Sequence, residues 1–344
     1  MFKCLIALLF PLVLSAQYYQ GAGHKTPEEI QEELNEANAE FENAKSMFNP
    51  WYTGPLITPS ASMMPVANGN IQPYLYIADN YASFNEDRHS VSLPNNLVQV
   101  IGQMVVQTGV TDTVDFVLVP GGVANWQNGH NGGGFLDLIS TIGFLVHKQT
   151  PYTPQVKFTI TETFPTGKYQ NLSFNGLNLN STGGGTYSTQ FGLTIAKLFF
   201  WSTQHPLNTR LFCGYEFSTT VHVENFNSYG GGFGTRGTVR PGNQFSTDLG
   251  LEVSLTQRWV LAMDIVYKAT NRTEFFGHPG FTTEGGTTPA SVGGGFSDNL
   301  SLAPAIEYNW SPNAGFIGGA WFSVYGRNSL NFAQAVLSVT YSFP

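Results

Sequence analysis

The chain is poor in charge and in cysteine, and past its amino terminus it has no long apolar run. Charged residues fill 11% of its 344 positions, where a soluble domain carries about 25%. So few charges do not clothe a surface that faces water on all sides. The two cysteines are Cys4 and Cys213, and Cys4 sits in a leader that is expected to be removed, so no intramolecular disulfide is expected. No apolar run of about 20 residues follows the leader, which excludes a bundle of membrane helices. Lys and Arg total 15 against 23 Asp and Glu, for a net charge of -8, and no basic patch is present. Nucleic acid is therefore not an expected partner. The seven histidines show no paired metal-ligand spacing, and no nucleophile elbow occurs, so neither a metal, a cofactor nor an enzymatic activity is expected. His147 reads as a structural residue at a strand end.

What the chain does have is 14% aromatic residues and 38 glycines, with a mean hydropathy of -0.08. A near-zero average is compatible with strong alternation, and the last thirteen residues alternate clearly. Ala333, Ala335, Leu337, Val339, Tyr341 and Phe343 fall on one face, and Gln334, Ser338, Thr340 and Ser342 on the other. A two-residue period of this kind is a strand with one apolar and one polar face. In an outer-membrane barrel the apolar face meets lipid and the polar face lines the lumen.

The same design recurs. Val156, Phe158 and Ile160 alternate with Lys157, Thr159 and Thr161; Leu211, Cys213, Tyr215 and Phe217 alternate with Gly214, Glu216 and Ser218. Phe245 to Leu255 alternates with Gln244 to Ser254, and Trp259 to Tyr267 and Leu300 to Trp310 behave likewise. Connections alternate between short (109–112, 150–154, 203–208, 256–258, 311–314) and longer (85–96, 122–133, 166–185, 222–243, 271–297), with a short last one at 326–330. Bacterial barrels pair short periplasmic turns with longer outer loops. The expected fold is thus all-β: a transmembrane antiparallel barrel of about twelve strands over residues 71–344, both chain ends in the periplasm, the last strand pairing with the first near Ile71. The stretches 97–107 and 114–120 alternate poorly. Trp201, Trp259, Trp310, Tyr341 and Phe343 are expected in an aromatic girdle at the lipid interface, together with Trp51, Tyr74, Tyr76 and Trp321.

Ahead of the barrel, residues 1–16 read as a secretory signal, with Lys3, the apolar core Leu5 to Leu14 and Ser15-Ala16. Residues 17–70 read as a periplasmic segment. Thr26-Pro27-Glu28-Glu29 opens a helix over about 26–48 with a capping box. Ile30, Leu34, Ala37, Phe41, Ala44 and Phe48 form a short heptad seam along it, consistent with a coiled coil, with a plug entering the barrel, or with an amphipathic helix resting on its periplasmic mouth. Trp51 to Gly69, rich in Pro, Ser and Gly, reads as an irregular linker.

On the polar face Lys157, Glu216, Asp248, Glu252, Asp264, Lys268 and Glu307 are the candidate lumen-lining residues, with Arg258 as a further counter-charge. They would form either a selective constriction or an internal network that holds strand register. The triple glycines 183–185, 230–232 and 293–295 read as flexible outer-loop segments, since no Lys-Ser/Thr pair or helix follows them to make a phosphate cradle.

Two stretches carry a family resemblance: Phe164-Pro165-Thr166-Gly167-Lys168-Tyr169 with Gly183 to Leu193, and the turn Gly109 to Phe116. They resemble the outer-membrane barrels of the "MetA-pathway of phenol degradation" family, in a wider group that includes fatty-acid and toluene channels. The resemblance implies a channel for small molecules, hydrophobic or aromatic ones among them, by passive or gated diffusion, and it carries over no site residue. Its expected partners are outer-membrane lipid, the barrel-assembly machinery and a small solute. The alternative is a non-transport surface barrel: an antigen, adhesin or structural protein. An autotransporter-like translocator is disfavoured because no passenger domain separates the leader from Thr26.

Overall fold

The computed structural model describes residues 25–47, 51–200 and 205–344. The expected signal segment, Phe48 and Trp201 lie outside the described residues. The chain divides into two units, Met1–Asn43 and Ala44–Pro344.

Helix α1 (Pro27–Met47) begins as its capping chemistry requires. The Glu29 amide donates to Thr26 Oγ1 (3.3 Å) and the Thr26 amide donates to Glu29 Oε2 (2.8 Å), which satisfies two of the free amides at the helix start. Lys25 pairs with Glu33. Ile30 and Leu34 are exposed.

The second unit is a closed barrel of twelve antiparallel staves. They are β1 (Gly69–Phe84), β2 (Ser90–Thr111), β3 with β4 (Val114–Val119, Gly121–Gln127), β5 with β6 (His130–Phe135, Leu138–His147), β7 (Gln155–Phe164) and β8 (Ser188–Phe199). The circle continues with β9 (Leu207–Ser218), β12 (Gln244–Ser254), β13 (Trp259–Thr270), β15 (Ser297–Ser311), β16 (Ala314–Arg327) and β17 (Ser329–Phe343). β17 closes on β1 from Gly69↔Phe343 to Phe84↔Ser329, with Ile71 opposite Tyr341. Closure gives every stave a neighbour on each side, with the β5 portion (His130–Phe135) paired to β4 alone, so the circle has no open seam toward lipid.

The alternation resolves into an inner and an outer face. In β12, Ser246, Asp248, Glu252 and Ser254 are buried, while Leu249, Leu251 and Val253 lie between them on the other face. Leu261, Ile265, Ile306, Leu337, Val339 and Phe191 are exposed on the outside. A continuous belt of this kind has no place in water and fits a hydrocarbon layer. Among the described residues no helix is long and apolar enough to cross a membrane; the strands do the crossing.

Several boundaries differ from the sequence reading. Residues 85–96 are not a long loop: β1 and β2 run on to a turn at residues 85–89, where Arg88 takes a positive φ of 68°. Residues 122–133 form the β4–β5 hairpin, turned at Asn128-Gly129. Two of the longer loops hold a separate three-stranded sheet of β10 (Val221–Glu224), β11 (Arg236–Arg240) and β14 (Glu274–His278). The weak alternation of β2 has a cause. Its inner face carries Ile101 and Val105 between Gln99, Gln103 and Gln107, so apolar residues fall on both faces.

Two of the glycine runs are packed, not slack. A side chain at Gly185 would strike the Tyr169 ring, and one at Gly231 would lie 2.7 Å from Asn227 Nδ2. The expectation of flexible segments is corrected for these two runs, where another element presses against the backbone; in the third, Gly293 lies against the Thr273 carbonyl while Gly294 faces open space.

Candidate functional site

The interior of the barrel at its short-turn end is crossed by residues 51–66, the stretch read from sequence as a linker. The Trp51 amide donates to the Gln257 carbonyl in the β12–β13 turn (3.1 Å). Asn309 Nδ2 donates to the Trp51 carbonyl (3.0 Å), and Ser254 Oγ donates to the Tyr52 hydroxyl (2.8 Å). The Thr53 amide donates to Glu307 Oε2 (2.7 Å). The Ile57 and Thr58 amides and the Thr58 hydroxyl all donate to Asp264 (3.2, 3.1 and 2.5 Å). Further along, Gln155 Nε2 donates to the Ala61 carbonyl and Lys157 Nζ to that of Ser62 (3.3 Å). Val66 bridges Gly109 of β2.

These anchors lie on β7, β13, β15 and β2, which stand on different sides of the closed wall. A segment that touches all of them runs inside it. Leu56 is the apolar centre: it is buried against Ala262, Ala303, Ile317 and Val336, with Tyr74 and Tyr76 beside it. An irregular segment cannot satisfy its own amides, so the wall supplies acceptors in the form of buried carboxylates. Glycines make room for it. A side chain at Gly250 would meet Pro55 and Thr58 (2.9 and 3.1 Å), and one at Gly54, whose φ is +105°, would meet Arg210 (3.0 Å).

Two ion pairs brace the same level of the wall. Arg210 Nη2 lies 2.9 Å from Glu252 Oε2, which also accepts from Asn208 Nδ2 (2.7 Å). Lys157 Nζ lies 2.7 Å from Asp115 Oδ2, which accepts from Gln107 Nε2 (2.6 Å). All four charged side chains are almost wholly buried.

The seven candidates therefore divide. Lys157, Glu252, Asp264 and Glu307 are buried at the level of the crossing segment, and three of them bond to it directly. Glu252 braces the wall behind it through Arg210. Asp248, Glu216 and Lys268 stand nearer the loop end. Asp248 is buried, Glu216 half-buried opposite Gln244, and Lys268 exposed although it shares the inward side of β13 with Asp264. An exposed inward lysine marks the water-accessible upper lumen. Its Nζ is 5.9 Å from the centre of the Trp321 ring, which donates to Ser301 Oγ (2.8 Å) and meets Phe332 edge-on at 5.2 Å.

Trp259, Tyr308 and Trp310 form a row of rings at 4.6 and 5.9 Å on the outer face near the short turns, and Tyr341 stacks on Phe343 at 6.1 Å. Tyr74, Tyr76 and Trp321 do not join them, since they point into the barrel. Trp51 belongs to the crossing segment, 5.8 Å from Arg258. Arg258 itself lies in the β12–β13 turn and not on the lumen wall. Sequence reasoning did not single out Arg210 or Asp115 as site residues. Arg210 shares the two-residue phase of Gly214 and Glu216, so the polar face of β9 carried that signal. The acceptors for the crossing segment carried none, because a linker's path is not periodic.

No family model and no curated protein sequence matches the chain. Among solved structures, an outer membrane channel from Pseudomonas putida F1 superposes with a TM-score of 0.63 at 12% identity, over 83% of this chain and 100% of that one. That likeness shows a shared barrel fold. The translocator domain of the autotransporter NalP from Neisseria meningitidis (TM-score 0.42, 10% identity, 92% and 98% coverage) and the NanC porin (0.38, 11%, 78% and 98%) are similar only in outline.

Proposed function

We propose that the chain is a bacterial outer-membrane channel for small solutes, gated by residues 51–66, with both chain ends in the periplasm and the barrel in contact with outer-membrane lipid. The observation that carries this is the crossing segment, held by single, separable polar anchors below a lumen wet enough to expose Lys268. A purely structural core would be filled by wall side chains. Here a tethered strand of chain fills it, and that strand can leave along the path by which it enters.

The upper lumen combines two kinds of side chain: the rings of Trp321 and Phe332, and the polar groups of Asp248, Glu216 and Lys268, whose Nζ lies 5.9 Å from the Trp321 ring centre. This combination supports a small amphipathic or aromatic solute, in keeping with the family resemblance of residues 109–116 and 164–193. No catalytic role is proposed for any residue.

The test is conductance in planar bilayers. Asp264→Ala with Glu307→Ala removes the acceptors of three backbone amides and should raise the open probability at least about tenfold, the effect of losing about 1.4 kcal/mol from the closed state. The reading favoured by the filled lumen, a non-transporting surface barrel, expects silence from parent and variant alike.

A further inference from the structure

The longer loops border an open cavity of about 270 Å³ that the gated lumen does not account for. It lies where the β10–β11 loop, the end of β13, the approach to β15 and the β16–β17 turn meet. No lysine, arginine, aspartate or glutamate lines it. Its walls are fixed by backbone bonds: the Gly293 amide donates to the Tyr229 carbonyl (2.8 Å) and the Thr273 amide to the Gly294 carbonyl (2.9 Å). The Tyr229 hydroxyl donates to the Gly184 carbonyl (2.7 Å), and burial pushes this phenol up, so the ring that lines the cavity stays uncharged.

Some polar groups remain unspent. The Asn271 carboxamide and the Ser297 hydroxyl make no hydrogen bond among the described residues, and both border the cavity. The glycines keep it open. A Cβ on Gly294 would meet nothing within 4 Å and would point into free space.

We infer that this cavity binds a small, neutral, hydroxyl-rich molecule of monosaccharide size. Uncharged amides and hydroxyls beside one aromatic ring suit sugar hydroxyls and a sugar face, whereas a charged ligand would find no counter-charge. The volume falls just below the range of drug-sized sites, about 300–1,000 Å³, which fits one ring and not a chain. The site stands independently of gating, since a barrel that conducts nothing could still hold a sugar in its loops. The sugar could be free or the end of a membrane glycan.

The experiment uses the full chain in detergent, with saturation-transfer NMR against glucose, galactose, N-acetylglucosamine and glucuronate, and against lipopolysaccharide core oligosaccharide. At least one neutral sugar should bind with a Kd of about a millimolar or tighter, and glucuronate should not. Gly294→Trp, which fills the space, and Asn271→Leu should each weaken binding about tenfold or more, with the heat-dependent gel mobility of a folded barrel unchanged. Tighter binding of the core oligosaccharide than of any free sugar supports the site with a membrane glycan as ligand; the reverse order supports it with a free sugar. Absence of any neutral-sugar signal, equal binding of glucuronate, or undiminished binding by Gly294→Trp overturns the inference.

Discussion

Arg210 and Glu252 show how a single pair can matter more for what it prevents than for what it adds. Glu252 has no solvent exposure and its Oε2 takes both the guanidinium and the Asn208 amide. Replacing such a pair by apolar groups of similar size is often close to neutral, while removing one member strands a buried charge at a cost of about 3–5 kcal/mol. Arg210→Ala is therefore expected to lower stability by about that amount, and Arg210→Met with Glu252→Leu to recover most of it. Urea unfolding in detergent measures both, and equal losses in the single and double variants would show that the pair's net attraction matters instead. Glu252→Gln with unchanged ion selectivity would place this residue in the wall bracing and not in the conduction path. At this scale the sequence was partly legible. The polar phase of β12, β13 and β15 pointed to Asp248, Glu252, Asp264 and Glu307, because alternation reports which face a side chain takes. It does not report depth along the strand, so it could not separate the buried Asp264 from the exposed Lys268 four residues away.

Among elements, residues 51–66 are the least regular and the most constrained. The amides of Thr53, Ile57 and Thr58 and the carbonyls of Trp51, Ala61 and Ser62 are satisfied by wall side chains: Glu307, Asp264, Asn309, Gln155 and Lys157. Each tie is one hydrogen bond, worth about 1.5–3 kcal/mol when a charged group takes part, so the segment is secured by several modest ties and no large apolar interface beyond Leu56. Thr53 Oγ1 donates to Asn309 Oδ1 at 3.0 Å, which brings these two side chains close enough to convert into a lock. In a Cys213→Ser background, Thr53→Cys with Asn309→Cys should conduct more than the parent when reduced, having lost two anchors. Oxidation should silence it and dithiothreitol should restore it; conductance indifferent to redox state would mean that the segment does not control the pore. Nothing in the chain's pattern announced this role. Strands announce themselves by period two and α1 by its Thr26–Glu29 box, but an extended segment bonded to distant strands leaves only Pro, Ser and Gly, the same composition as a true linker.

At the scale of the whole molecule, the barrel and the β10–β11–β14 sheet rest on separate interactions. The barrel closes on itself through the β1–β17 ladder. The outer sheet has its own small core of Val221, Val223 and Val239, packed by Tyr169, Tyr229, Phe275 and Val292. Because its three strands come from two loops, it cannot survive loss of that core by extending the barrel's ladder: β10 pairs only with β11, and β11 joins β14 at its far side. Val223 has no exposure, and a carboxylate there would be buried without a partner, which is a penalty of several kcal/mol against a three-stranded sheet of marginal stability. Val223→Asp should thus open the outer sheet while the barrel stays closed. Arg236 on β11, which precedes Gly237, then becomes a trypsin site, whereas Arg240 precedes Pro241 and resists the protease. Trypsin added to intact cells should cut the Val223→Asp chain between β10 and β12 and spare the parent, with both keeping the gel mobility of a folded barrel when unheated. Cleavage only after cells are broken would put these loops on the periplasmic side and reverse the orientation inferred from the short turns. Loss of the barrel's unheated mobility would instead show that the two sheets fold as one cooperative unit.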